Sequence, residues 1–234
     1  MYGHIEMMKM RPAPLNMKEE LYMDTLRESV ICCVPTGLHD WAVKALRTAT
    51  TGEEKLAAID TMLKVCAAQS NFLEGINIID RMISDPGMSA YRSRMLFWAG
   101  EMSEGLYDFD AAIGYYWRSL ACGSRPEELH PIALSNLGFC WLYKKDFKTA
   151  ERCCRQAITF GPYLWEAWKN LGVSLEHQGR IKEAFLAYFR AVLLSHCRAI
   201  PIMHLVRLSH RHPSLGPDVA GLRPTVYKEY RVIL

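Results

Sequence analysis

The chain repeats itself. Between Pro131 and Arg198, Asn136-Leu137-Gly138 returns as Asn170-Leu171-Gly172, Ala150 returns as Ala184 and Ala157 as Ala191, each pair 34 residues apart without a gap. Such a period marks a chain built by stacking one supersecondary unit, because one unit alone cannot bury both of its faces. Apolar spacing shows what the unit is. From Ile132 to Tyr143, the residues Leu134, Leu137, Gly138, Trp141 and Leu142 fall at helical intervals. A second stripe of Phe147, Ala150, Cys153, Cys154, Ala157 and Ile158 follows the short charged break Lys144-Lys145-Asp146. A break that short folds the two helices back antiparallel. Gly138 and Ala150 put almost no side chain at the crossing, so the backbones approach closely. Glycine inside a helix costs about 1 kcal/mol relative to alanine, so its return at Gly172 points to packing.

The same spacing extends upstream. Gly100 and Ala112 are 12 residues apart, as are Gly138 and Ala150, which marks Ser93–Pro126 as an earlier copy with Phe109 and Tyr116 in the aromatic places. Extra residues fall in a loop from Arg125 to His130, and Pro131 suits the first turn of the next helix. Glu53–Ala68 and Asn71–Ile83 read as a degenerate copy, closed by Asp85-Pro86-Gly87. There Leu63 stands in place of the interior glycine, so that pair must cross more openly. Thr51 and Glu54 have the spacing of a capping box. Helices are also expected over Met17–Val34 and Leu38–Thr48, with Met1–Asn16 poorly ordered or loosely docked. Ala199–Arg211, with Ile202, Leu205, Val206 and Leu208, fits a terminal helix that covers the last hairpin.

The residues Trp168-x2-Leu171-Gly172 and Ala184-x3-Tyr188, with Pro162 closing the preceding copy, resemble the tetratricopeptide repeat (TPR) family. The resemblance implies an all-α fold, a right-handed α-solenoid of helical hairpins. The divisions are an N-terminal segment 1–16, helices in 17–52 and a degenerate hairpin 53–92; good repeats follow at 93–130, 131–164 and 165–198, then a cap 199–212 and a basic tail 213–234. It also implies a protein-binding scaffold, an adaptor or chaperone-like module, whose first helices line a concave groove for a peptide segment. The residues placed there are Arg94, Phe97 and Glu101, then Ser135, Phe139, Leu142 and Tyr143, then Lys169, Val173, Glu176 and His177. Some TPR domains grip a terminal carboxylate with Lys, Asn, Asn, Lys and Arg. At those places this chain has Phe97, Glu101, Asn136, Glu166 and Asn170, and the two glutamates would repel a carboxylate.

Half of the residues are hydrophobic, enough for a packed core and against wholesale disorder. No apolar run approaches the roughly 18 residues of a membrane span, and the N-terminus lacks the pattern of a secretory signal, so a cytoplasmic protein without membrane insertion is expected. The eight cysteines include no C-x2-C, and most lie on helix stripes, the pattern of reduced structural thiols rather than of a zinc site. From His196 onward there are six basic and two acidic residues, too weak a field to imply nucleic acid. No phosphate loop, H-E-x2-H or G-x-S-x-G occurs, so no catalytic residue, cofactor or metal is expected and the chain does not read as an enzyme. His204, His210 and His212 form the densest histidine cluster, read as a solvated helix end with metal binding as its rival. Self-assembly is the other alternative, with the groove of one copy taking a terminal segment of another.

Overall fold

The computed structural model describes residues 37–122, 129–196 and 198–215. Among them are ten α-helices and no strand: α1 (Leu38–Thr48), α2 (Gly52–Ala68), α3 (Phe72–Ile83), α4 (Arg92–Gly105), α5 (Phe109–Ala121), α6 (Leu129–Tyr143), α7 (Phe147–Phe160), α8 (Trp165–His177), α9 (Ile181–Leu194) and α10 (Ala199–Arg211). The expected helix over Met17–Val34, the N-terminal segment and the tail beyond Leu215 lie outside the described residues. No helix among those described is long and apolar enough to cross a membrane.

Local chemistry sets the helix ends. Thr51 and Glu54 form the full capping box at the start of α2. Asp108 accepts a hydrogen bond from the Ala111 N–H and Asp146 one from the Thr149 N–H, so α5 and α7 begin on equivalent carboxylate caps. Asp110, in the first turn of α5, reaches Lys144 of the next hairpin. The loop before α6 is shorter than its sequence suggests: Leu129 and His130 belong to the helix rather than the connection. Pro131 still lies in the first turn, where a missing N–H costs no helical bond.

One turn joins the helices of four hairpins. Ser70, Tyr107, Lys145 and Gly179 each adopt a left-handed conformation, with φ of 56°, 59°, 60° and 76°. At each, the N–H of the left-handed residue bonds back to the helix, to Ala67, Glu104, Leu142 and Glu176 respectively. The next N–H reaches one turn deeper, to Cys66, Ser103, Trp141 and Leu175. This is the Schellman arrangement, which satisfies carbonyls that a helix end leaves open. It recurs between α2 and α3, so the most divergent hairpin keeps the turn even without the interior glycine. With Leu63 buried there instead, α2 and α3 touch over a shorter span than any later hairpin, the open crossing that the sequence implies.

The three later hairpins close on glycine. A Cβ on Gly100 would lie 2.5 Å from the ring of Tyr116, one on Gly138 2.5 Å from Cys154 Sγ, and one on Gly172 2.5 Å from the ring of Tyr188. Ala112, Ala150 and Ala184 are fully buried beside these contacts. Ser93 and Ser119 add a reciprocal latch between α4 and α5, each hydroxyl bonded to the other's carbonyl. Two of the motif residues also meet, as Trp168 Nε1 donates to the Pro162 carbonyl at 2.9 Å. Consecutive hairpins stack in order. The first helices α4, α6 and α8 also touch one another directly, whereas no comparable contact joins α5, α7 and α9. The first helices therefore form the inner layer. α10 packs on α9 and closes the end of the described stack.

Candidate functional site

The inner layer carries the residues expected to line the groove, and the structure sorts them by depth. Arg94, Glu101, Tyr143 and Glu176 are half-buried and His177 is exposed. Phe97, Ser135, Phe139, Leu142, Lys169 and Val173 are all less than a tenth exposed. Phe97 packs against Tyr116 with ring centroids 5.6 Å apart, and Leu142 has no exposed surface, so both support the layer from below. His177 turns sideways and stacks on Phe147 at 4.5 Å.

Aromatic rings hold the middle of the face. Tyr143 stacks on Phe109 at 4.2 Å and meets the edge of Phe139 at 5.0 Å. Across the seam to α8, Lys169 Nζ lies 6.0 Å from the Phe139 ring centroid and 5.9 Å from that of Trp165. Such placement sets the lysine ammonium against the negative faces of two rings. Arg198 lies over the same Trp165 ring at 5.8 Å.

The carboxylates around this aromatic centre are unusual. Burial, with Glu104 and Asp60 nearby, pushes Glu101 up to about 8. Burial also pushes Glu104 up to about 7, against hydrogen bonds from Tyr116 and Cys140 and the charge of Lys169. Tyr116 donates to Glu104 at 2.7 Å and Asn136 donates to the Tyr116 oxygen at 3.1 Å, a chain that ties α4, α5 and α6 together. Glu176 repeats the motif with Tyr188 at 2.8 Å and is also bonded by Arg211 of α10 at 3.1 Å. Glu176 thus fastens the cap to the last hairpin.

Sequence reasoning passed over Glu104, Trp165 and the tyrosine–glutamate pairs. The pairs had a signal, since Glu104–Tyr116 and Glu176–Tyr188 share a spacing of 12. Trp165 had only a weak one: Lys169 follows it by four residues on α8, but Arg198 comes from outside that helix and no spacing announces it. The histidine cluster comes apart: His204 is buried and stacked on Tyr188 at 5.1 Å, while His210 is exposed. Among the described residues no group of His, Cys, Asp or Glu is arranged to hold a metal ion. Cys66, Cys140, Cys153 and Cys154 are free, buried thiols. Burial pushes Cys153 up to about 11, which leaves its thiol uncharged at neutral pH.

No family model matches the chain, and no curated protein matches it. Solved structures do. A MamA double mutant, "MamA RS-1 ArsTM", superposes with a TM-score of 0.58 at 18% identity, covering 74% of this chain and 93% of its own. MamA 41-end from Desulfovibrio magneticus RS-1 gives 0.57 at 18% identity, with 74% and 94% covered. The first TPR of Spaghetti (RPAP3), solved bound to the HSP90 peptide SRMEEVD, gives 0.47 at 20% identity over 52% of this chain and 94% of its own. Helices paired in sequence order, three crossings each closed by a glycine 12 residues before an alanine and a backbone shared with the two MamA structures together give this chain the tetratricopeptide repeat fold.

Proposed function

We propose that the inner face of α4, α6 and α8 binds a peptide segment of a protein partner, so that the chain works as an adaptor or chaperone-like scaffold rather than as an enzyme. One observation carries this reading: Phe139, Tyr143, Trp165 and Lys169 form a continuous aromatic and cationic centre on the layer where the first helices meet. Rings that are already packed present apolar area at little further cost in side-chain entropy, which suits a helical or extended segment with apolar anchors. The half-buried Arg94, Glu101 and Glu176 set polar groups around that centre. Glu101 and Glu166 argue against a terminal carboxylate as the group recognised.

The test uses a photo-crosslinking amino acid placed at Tyr143 on the inner face or at Trp117, which is 46% exposed on α5. Cross-linked peptides recovered from the Tyr143 position and absent from the Trp117 position are the expected outcome. Tyr143→Ala should lose the same partners while keeping its helicity by circular dichroism. An identical partner set from both positions would move the binding surface off the inner face.

A further inference from the structure

Three side-chain acceptor atoms on α6 and α8 have no hydrogen-bond partner among the described residues. Ser135 Oγ, Asn170 Oδ1 and Glu166 Oε2 are each buried without a hydrogen bond. Ser135 is 1% exposed and Asn170 3%. Asn170 reaches across the seam, its amide nitrogen donating to the Ser135 carbonyl at 3.3 Å, and this bond fixes the amide oxygen beside Ser135. Glu166 lies one helical turn before Asn170 on the same face of α8. A carboxylate and an amide oxygen only accept, and a buried acceptor left unsatisfied keeps its full desolvation penalty. Natural proteins keep such groups where something else supplies the donor.

Charge points the same way. Glu104 already takes bonds from Tyr116 and Cys140, and Glu176 from Tyr188 and Arg211. Glu101 and Glu166 have no ion-pair partner among the described residues. Burial raises the Glu166 carboxyl even though Lys169 and Arg198 draw it down, so the carboxyl is poorly solvated where it stands.

We propose that the α6–α8 seam, formed by Glu166, Asn170 and Ser135, is a site for a positively charged side chain of the bound segment, a lysine ammonium or an arginine guanidinium. An ammonium has three donors and a guanidinium five, and neither has an acceptor. Either group supplies donors of the kind these acceptors lack, with a charge opposite to the carboxylate's. This rests on the inner face being the binding surface. It also inverts the chemistry of a carboxylate-gripping groove, since the seam accepts hydrogen bonds where such a groove donates them.

The experiment is fluorescence anisotropy with short labelled peptide pools, each with one fixed central residue: Lys, Arg, norleucine or Glu. The wild-type chain should bind the Lys and Arg pools about tenfold more tightly than the norleucine pool, and the Glu pool most weakly. Glu166→Gln should erase the preference and leave norleucine affinity unchanged, with its fold checked by circular dichroism. Glu53→Gln, exposed on α2 away from the inner face, is the comparison and should keep the preference. If all pools bind alike and Tyr143→Ala weakens them all, the cation site falls and the groove stands. If no pool binds, both fall. A preference that survives Glu166→Gln overturns the assignment to this seam.

Discussion

The Cβ that Gly138 lacks would sit 2.5 Å from the sulfur of Cys154. The two residues are both fully enclosed at the centre of the α6–α7 hairpin, and the next nearest atom is the Ala150 carbonyl at 3.4 Å. Gly138→Leu should therefore cost about 1–3 kcal/mol through overpacking. Gly138→Ala is more informative. It gains about 1 kcal/mol of helix propensity and meets the sulfur, so in the wild type the two oppose each other. In a Cys154→Ala background the obstruction is gone and the gain should appear. Urea unfolding of the four proteins measures the coupling, and strict additivity would place the contact elsewhere.

The two tyrosine–glutamate pairs should not respond alike. Tyr188→Phe leaves Glu176 bonded to Arg211, whereas Tyr116→Phe leaves Glu104 only the 3.5 Å contact from Cys140 and removes the partner of Asn136. Tyr116→Phe should cost about 1–3 kcal/mol and Tyr188→Phe clearly less, as read from denaturant midpoints. Equal losses would mean that the phenols act through packing alone.

Glu101 at about 8 and Glu104 at about 7 make a prediction about pH. An unfolded glutamate titrates near about 4.3, so between that value and neutrality the folded chain binds more protons than the unfolded one. Their contribution is complete below the unfolded value and is lost as pH rises through the folded values. Stability should fall from about pH 5 to pH 8 for this reason, and a Glu101→Gln, Glu104→Gln double variant should flatten the fall. Urea midpoints of the two proteins across that range decide it; parallel curves would remove both residues from the account.

A charged latch holds α7 to α9. Arg180 Nη1 reaches both oxygens of Glu151 at 2.8 Å, and Arg155 and Gln178 bond the same carboxylate. Glu151 is 14% exposed at its side chain, deep enough to keep part of this attraction from solvent. Glu151→Ala should destabilise by about 1 kcal/mol, and the loss should shrink in high salt. Thermal melts at low and high salt provide the comparison.

The left-handed turns offer a gain instead of a loss. Lys145 holds φ of 60°, a conformation that costs a side-chain-bearing residue about 1–2 kcal/mol. Lys145→Gly should stabilise the hairpin by up to about 1 kcal/mol after its greater unfolded entropy is subtracted. Gly179→Ala, at φ of 76°, should do the reverse. A change of the same sign in both would contradict the shared turn.

How much of this was legible depends on what periodicity can carry. The helices from Leu38 to Arg211, the capping box, the hairpin breaks and the glycine crossings all follow from local spacing, and the structure has each of these. Depth on the inner face did not follow. α6 is packed on both sides, against α5 and α7 and against α8, so its apolar residues point in every direction and their phase names no single exposed face. That is why Leu142 and Tyr143, adjacent in sequence, could both be placed in the groove although one is fully buried and the other half-exposed. Lys169 was placed in the groove by its register, yet it is buried, with its ammonium near the rings of Phe139 and Trp165, an uncommon place for a lysine. A variant such as Lys169→Glu would set a carboxylate among other carboxylates and should unfold the seam, so Tyr143 is the cleaner probe.

The recurring Schellman turn also matters for the order of events during synthesis. Each hairpin is closed by bonds between neighbours in sequence, and each packs chiefly on the one made before it. A chain emerging from the ribosome therefore finds the partner of every new helix already exposed, and α4 with α5 is complete before α6 appears. Growth and folding then run in the same direction, with little sticky surface waiting for a distant strand of sequence to arrive.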